Sequence, residues 1–122
     1  MSIIKSILIE LGYSNINFQC DFKLQGFERV DVAAKKNEMQ YYFIQLINPA
    51  NNEAYELSAK TSIDITVRKL KNNRNNYYIL GLIIPYHQIF YTYIMENEVY
   101  NDLEIVMYSP NGEVMNSEML KR

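Results

Sequence analysis

Two hydrophobic periods alternate along this chain, and the switches between them mark out its elements. Ile3, Ile4, Ile7, Leu8 and Leu11 recur at helical spacing, with Ser2, Lys5, Ser6 and Glu10 mostly on the other side. Ser2 is placed to cap this helix and Gly12 to stop it. The period then drops to two. Ile16, Phe18, Cys20, Phe22 and Leu24 alternate with Asn17, Gln19, Asp21 and Lys23, which predicts a strand over 16–24 with one buried and one wet face. A Gln25-Gly26 turn leads into a second extended run over 27–34, so the pair reads as an antiparallel hairpin. After a polar turn at 35–38, residues 39–47 are almost continuously apolar, as in a central strand covered on both faces. Asn48-Pro49 ends that strand.

Residues 51–70 satisfy both periods. As a helix they have Asn51 or Asn52 as cap, Glu53 and Glu56 early, Lys69 and Lys71 late, and an apolar face of Tyr55, Ala59, Ile63, Val67 and Leu70. Tyr55, Leu57, Ala59, Thr61, Ile63, Ile65 and Val67 also alternate as in a strand. Length and end signals point to the helix, with a short helix followed by a strand from Ile63 as the alternative. A turn at 72–76 precedes an apolar strand over 77–84, closed by Pro85. Residues 88–95 read as a further strand and 97–102 as a turn. Residues 103–108 and 113–115 form a hairpin about Asn111-Gly112, and 116–122 is a frayed helix or a loose tail. The predicted class is α+β: a core of helix, three-stranded meander, helix and strand with a mixed sheet and a C-terminal β-rich extension, all in one domain over 1–122. The crossover from the third strand to 77–84 is expected to be parallel and right-handed.

Composition narrows the function classes. The chain has 122 residues, 48% hydrophobic and 21% charged, which is ordinary for a globular domain. A net charge of −2 argues against a dedicated nucleic-acid binder, although a local basic patch is compatible with it. The single cysteine, Cys20, excludes an internal disulfide and suits a reducing compartment. Lys5, Ser6 and Glu10 interrupt the N-terminal apolar run, so neither a signal peptide nor a membrane span is expected, and the cytoplasm is the expected location. The wealth of Asn, Ile, Lys and Tyr fits an AT-rich genome.

The chemistry concentrates between residues 27 and 47. Glu28-Arg29-Val30-Asp31 sets an acid inside a hydrophobic strand, and the YYFIQLI run places Gln45 and Ile47 two apart at the end of the next. Element order and these positions resemble the core of the PD-(D/E)xK, or restriction-endonuclease-like, superfamily over about residues 1–84. The resemblance implies a divalent metal, Mg²⁺, held by an Asp and an acidic residue, with a lysine beside it. Asp31 matches the Asp position and would be the metal ligand. Gln45 occupies the acidic position and Ile47 the lysine position, and Lys60 is the candidate for a migrated lysine. Read without the family, Asp31 is as well explained as a solvated side chain on a strand edge or as one that closes a turn by accepting backbone N–H bonds, Gln45 as a satisfied buried amide, and Glu10 as a surface carboxylate.

Other constellations are sparse. His87 is the sole histidine, which excludes a His-based metal cluster, and no Gly-rich phosphate loop appears. A Cys20–His87 nucleophile pair is conceivable, but Cys20 falls on the predicted buried face. Arg68, Lys69, Lys71 and Arg74 lie beside Tyr77 and Tyr78. They would hold a nucleic-acid backbone or, as the simpler reading, complement a helix C-terminus. Tyr86, Tyr91 and Tyr93 would form a sticky protein-binding surface, or else pack with Phe90 into the domain. The expected function is a non-catalytic accessory or interaction protein on a nuclease-like scaffold, with a protein partner or as a homo-oligomer and without a cofactor. The segments YYFI, YYILGLIIP and YTYIMENEVYNDLEI also look like the small middle components of ATPase-centred bacterial defence systems, which implies a defence or immunity subunit. The competing expectation is a metal-dependent nuclease using Asp31, Gln45 and Lys60.

Overall fold

The N-terminal stripe closes as helix α1 (Ile3–Glu10), burying Ile4, Ile7 and Leu8. The computed structural model describes residues 3–47 and 53–122, the side chains of 53–56 excepted. The predicted caps Ser2, Asn51 and Asn52, the Asn48-Pro49 stop and the side chains of Glu53, Tyr55 and Glu56 therefore lie outside the described residues. Strands β1 (Ser14–Cys20), β2 (Val30–Lys36) and β3 (Met39–Gln45) form an antiparallel meander. Helix α2 (Glu53–Asn72) then crosses to β4 (Ile79–Pro85), which runs parallel to β3. The doubly periodic run is thus one helix. Ala59, Ile63, Val67 and Leu70 are buried at helical spacing, while Leu57 and Ile65 from the alternating set stay exposed. Parallel neighbours also need a long crossover, which a strand could not supply.

Residues 88–95 correct the sequence reading. They form helix α3 (Gln88–Glu96), not a strand. Phe90 and Ile94, one turn apart, are buried, and His87 caps the helix by accepting the Ile89 N–H at Nδ1, 3.2 Å away. The next strand, β5 (Glu104–Tyr108), is parallel to β4, so a second crossover was required here. A single turn of 3-10 helix (Val99–Asn101) stands where a polar turn was expected, and it buries Val99. The Asn111-Gly112 hairpin is present, joining β5 to β6 (Val114–Asn116) with Gly112 at φ 89°. The tail docks as helix α4 (Ser117–Leu120). There the buried Ser117 hydroxyl accepts the Ile105 N–H at 2.6 Å and donates to the Leu103 carbonyl at 3.2 Å.

The result is the expected α+β class, with six strands in the order β1-β2-β3-β4-β5-β6 in one mixed sheet. Helices α2 and α3 cover one face over Ile44, Leu80, Leu82, Ile84, Ile105 and Met107. Helix α1 covers the other over Val32, Ala34, Tyr41, Phe43, Ile83 and Val106. Burial on both faces is why β3 and β4 read as continuous apolar runs.

Edge strand β1 departs most from its sequence signature. Its alternation predicts a buried face, yet the strand is mostly exposed and Phe18 retains 41% of its accessible surface. Asn15 and Gln19 adopt left-handed backbone (φ 51° and 53°), and the register slips between Ser14 and Asn17. Such bulges bend an edge away from flat pairing and blunt it against association. The loop from β1 to β2 is longer than a tight hairpin and is pinned to the end of α2. Asn73 exchanges hydrogen bonds with the backbone of Gln25 (3.0 and 2.9 Å), and Leu24 is buried.

Candidate functional site

The end of the β2–β3 pair is where the sequence places its chemistry. The β2–β3 ladder runs from Lys36↔Met39 to Val32↔Phe43 and stops. Beyond it, the two strands exchange a side chain for a backbone acceptor: Asp31 Oδ2 accepts the Gln45 N–H at 2.7 Å. Inside–outside parity also breaks here. Val32 and Ala34 pack on the α1 side, whereas Val30 packs on the α2 side. On the neighbouring strand the same break falls at Gln19, whose side chain accepts from Arg29 Nη1 at 3.3 Å. Asp31 is thus the group that satisfies β3 where the ladder ends.

Asp31 and Gln45 are therefore adjacent, and both are half-buried. Ile47 follows, 82% exposed, and offers no hydrogen-bonding group. Lys60 is exposed on α2 and lines a groove of about 370 Å³ between α2 and α3, together with Gln88, Ile89, Thr92, Tyr93, Glu96 and Asn97. Neither Asp31 nor Gln45 lines that groove. Among the described residues no three His, Cys, Asp or Glu side chains gather as a metal-binding group. Glu10 is exposed on α1.

Each member of the basic cluster has an internal partner. Arg68 bridges to Asp64 at 3.2 Å, and Lys69 donates to the Gly26 carbonyl at 3.2 Å with its ammonium over the Phe27 ring. Lys71 (3.4 Å) and Arg74 (2.5 Å) converge on Asp102 and tie the end of α2 to the segment after α3. These cations support the fold locally, and surface pairs of this kind contribute on the order of 1 kcal/mol or less.

The tyrosines divide between two surfaces, because α3 is a helix and residues two apart on it point in nearly opposite directions. Tyr86 (45% exposed) and Tyr91 lie together, ring centroids 5.8 Å apart. Tyr93 turns towards α2 and donates its hydroxyl to Asp64 at 2.5 Å. Burial and then that carboxylate push the Tyr93 phenol up to about 12, while the Tyr93 hydrogen bond holds Asp64 below the usual carboxylate range. A phenol raised in the folded state keeps its proton after the unfolded one has ionised. Stability from this contact is therefore complete below pH 10 and lost between pH 10 and about 12. Tyr93→Phe should lower the thermal midpoint at neutral pH and flatten the alkaline limb in that window. Parallel alkaline limbs in melting curves of the two proteins would refute the contact.

Cys20 and His87 do not meet. Three inter-strand steps separate β1 from β4, on the order of 14 Å. Sequence reasoning missed one polar group altogether: Glu104 at the start of β5, half-buried. Burial raises its carboxyl above the ordinary range, opposed by the Ser117 hydroxyl and the Lys36 charge. Burial followed by the Glu104 charge raises the phenols of Tyr13 and Tyr41 as well. A lone acid flanked by Leu103 and Ile105 carried no signal of that setting.

No protein-family model and no curated protein matches the chain. Two solved structures do, at the level of fold. One is described as a fdxN element excision controlling factor protein from Anabaena variabilis: TM-score 0.56, 14% identity, 93% of this chain and 92% of that one covered. The other is an XisH family protein from Nostoc punctiforme: TM-score 0.55, 14% identity, with 93% of each chain covered. The likeness is one of fold. It extends over nearly the whole chain.

Proposed function

We propose that this chain is a non-catalytic accessory or interaction protein on a nuclease-like scaffold, serving a bacterial defence system or a system that controls element excision. The observation that carries this reading is the commitment of Asp31. Its carboxylate holds the backbone of β3, while the two positions that would complete a metal site are an amide and an exposed isoleucine. An acid beside one neutral oxygen makes a poor site for a hard divalent cation, which takes six or more oxygens. The resemblance of the core to the PD-(D/E)xK superfamily supports the scaffold assignment. The neighbour described as an element excision controlling factor supports an accessory role without requiring that this chain be a nuclease. The internal pairing of Arg68, Lys69, Lys71 and Arg74 makes protein contacts the preferred mode over nucleic acid.

Purified protein incubated with plasmid and with single-stranded DNA, in Mg²⁺ or Mn²⁺, should leave both intact. Cleavage that disappears in Asp31→Ala would overturn the reading in favour of a nuclease that uses Asp31.

A further inference from the structure

Helices α2 and α3 lie on one face of the sheet, and the groove of about 370 Å³ between them holds two charges without partners. Its apolar lining is Ile89 and the Tyr93 ring, both half-buried. Its neutral polar side chains are committed to the protein itself. Tyr93 donates its hydroxyl to Asp64, Gln88 donates to the Thr92 hydroxyl at 3.0 Å, and Asn97 donates to the Tyr93 carbonyl at 2.9 Å. Asp64 and Arg68, further along α2, pair with each other. Two groups are left over, and they are opposite in sign. Lys60 lines the groove from α2 and Glu96 from α3; both are exposed, and among the described residues neither makes an ion pair or a hydrogen bond. Glu96 also stands in the last turn of α3, which has no cation, so the negative end of its own helix disfavours it. Leu57, three residues before Lys60 and its neighbour on the helix surface, is 71% exposed.

These two charges select the occupant. A wholly basic or wholly acidic segment would set one of them against its like. What fits is a surface that presents a carboxylate to Lys60 and an ammonium to Glu96. A second copy of the chain meets that condition by symmetry, because the two-fold axis that sets Lys60 of one copy on Glu96 of the other also sets Glu96 of the first on Lys60 of the second. We propose that the α2–α3 groove is the isologous interface of a homodimer, with two reciprocal Lys60–Glu96 pairs over the apolar lining of Ile89 and Tyr93 and with Leu57 adding apolar area at the rim. The apolar contacts supply affinity, and the charges supply register and encounter rate. The inference goes beyond the accessory reading and does not depend on it, since a nuclease can dimerise by the same face.

The test is sedimentation equilibrium of the full chain from micromolar to millimolar concentration. A monomer–dimer equilibrium is expected, and added salt should shift it towards monomer. Lys60→Glu and Glu96→Lys each place like charges at both contacts and should raise the dissociation constant about tenfold or more. The double variant Lys60→Glu, Glu96→Lys restores opposite charges and should dimerise as the unaltered chain does. An equimolar mixture of the two single variants should likewise form a heterodimer where each alone stays monomeric, a rescue that misfolding of either variant would not produce. A chain that is monomeric throughout overturns the proposal. So does a dimer indifferent to both single variants, which places the interface elsewhere. Single variants that weaken the dimer with no rescue in the double variant or the mixture refute the reciprocal pairing and overturn it too. Mass is the readout, so DNA cleavage would refute the accessory reading and leave dimerisation standing, whereas a monomer that leaves DNA intact refutes only this interface.

Discussion

Gly81→Ala is expected to destabilise the protein by about 3 kcal/mol, read as a lower urea midpoint at unchanged slope. Gly81 sits in the middle of β4, between two parallel neighbours, opposite Phe43 on β3 and Glu104 on β5. A methyl group there would lie 2.8 Å from Phe43 Cε1 and closer still to the Glu104 backbone carbonyl. Phe43 is fully buried and cannot swing aside, and the carbonyl belongs to the adjacent strand. The cost is therefore steric. Gly112→Ala offers the contrast: its φ is +89° but nothing lies within 4 Å of the added methyl, so only the dihedral is penalised, at about 1–2 kcal/mol. Equal costs for the two variants would show that β4 is not packed as described.

Asp31→Ala is expected to cost about 2 kcal/mol, and Asp31→Asn to recover most of it. The alanine leaves the Gln45 N–H without its acceptor at the point where the ladder ends, and a half-buried orphaned donor costs about 1–3 kcal/mol. Asparagine keeps an oxygen in place and loses only the charge. This pair of variants separates structure from catalysis more directly than activity does. A carboxylate kept for metal binding would be stability-neutral on removal, or even stabilising, because active-site acids are held at a cost. A loss with alanine that asparagine repairs identifies Asp31 as a backbone acceptor. An unchanged midpoint in both variants would free Asp31 for another role.

Much of this architecture is readable locally. The helical stripe of Ile4, Ile7 and Leu8 is buried as its spacing requires, and the apolar runs of β3 and β4 lie between two layers. The Asn111-Gly112 turn and the end of α1 at Gly12 followed from residue type, since both glycines take positive φ. The candidate site was legible as a pair of positions: Asp31 and Gln45 are adjacent, as their places on consecutive antiparallel strands dictate.

What the chain could not disclose locally depended on which neighbour arrives. Residues 88–95 carry strand-like aromatic and β-branched residues, and a parallel β5 decides for a helix by demanding a crossover. The alternation in β1 is real, but a period reports which residues share a face and not whether a layer covers it; at an edge left uncovered, Phe18 stays exposed. The basic run at 68–74 became ion pairs and carbonyl contacts only once Asp102 and Gly26 were brought to the end of α2. The same holds for the stretch from Phe27 to Ile47. Its order placed an acid beside β3, but only packing decided that the acid meets a backbone N–H, because that donor is freed where the ladder between β2 and β3 ends.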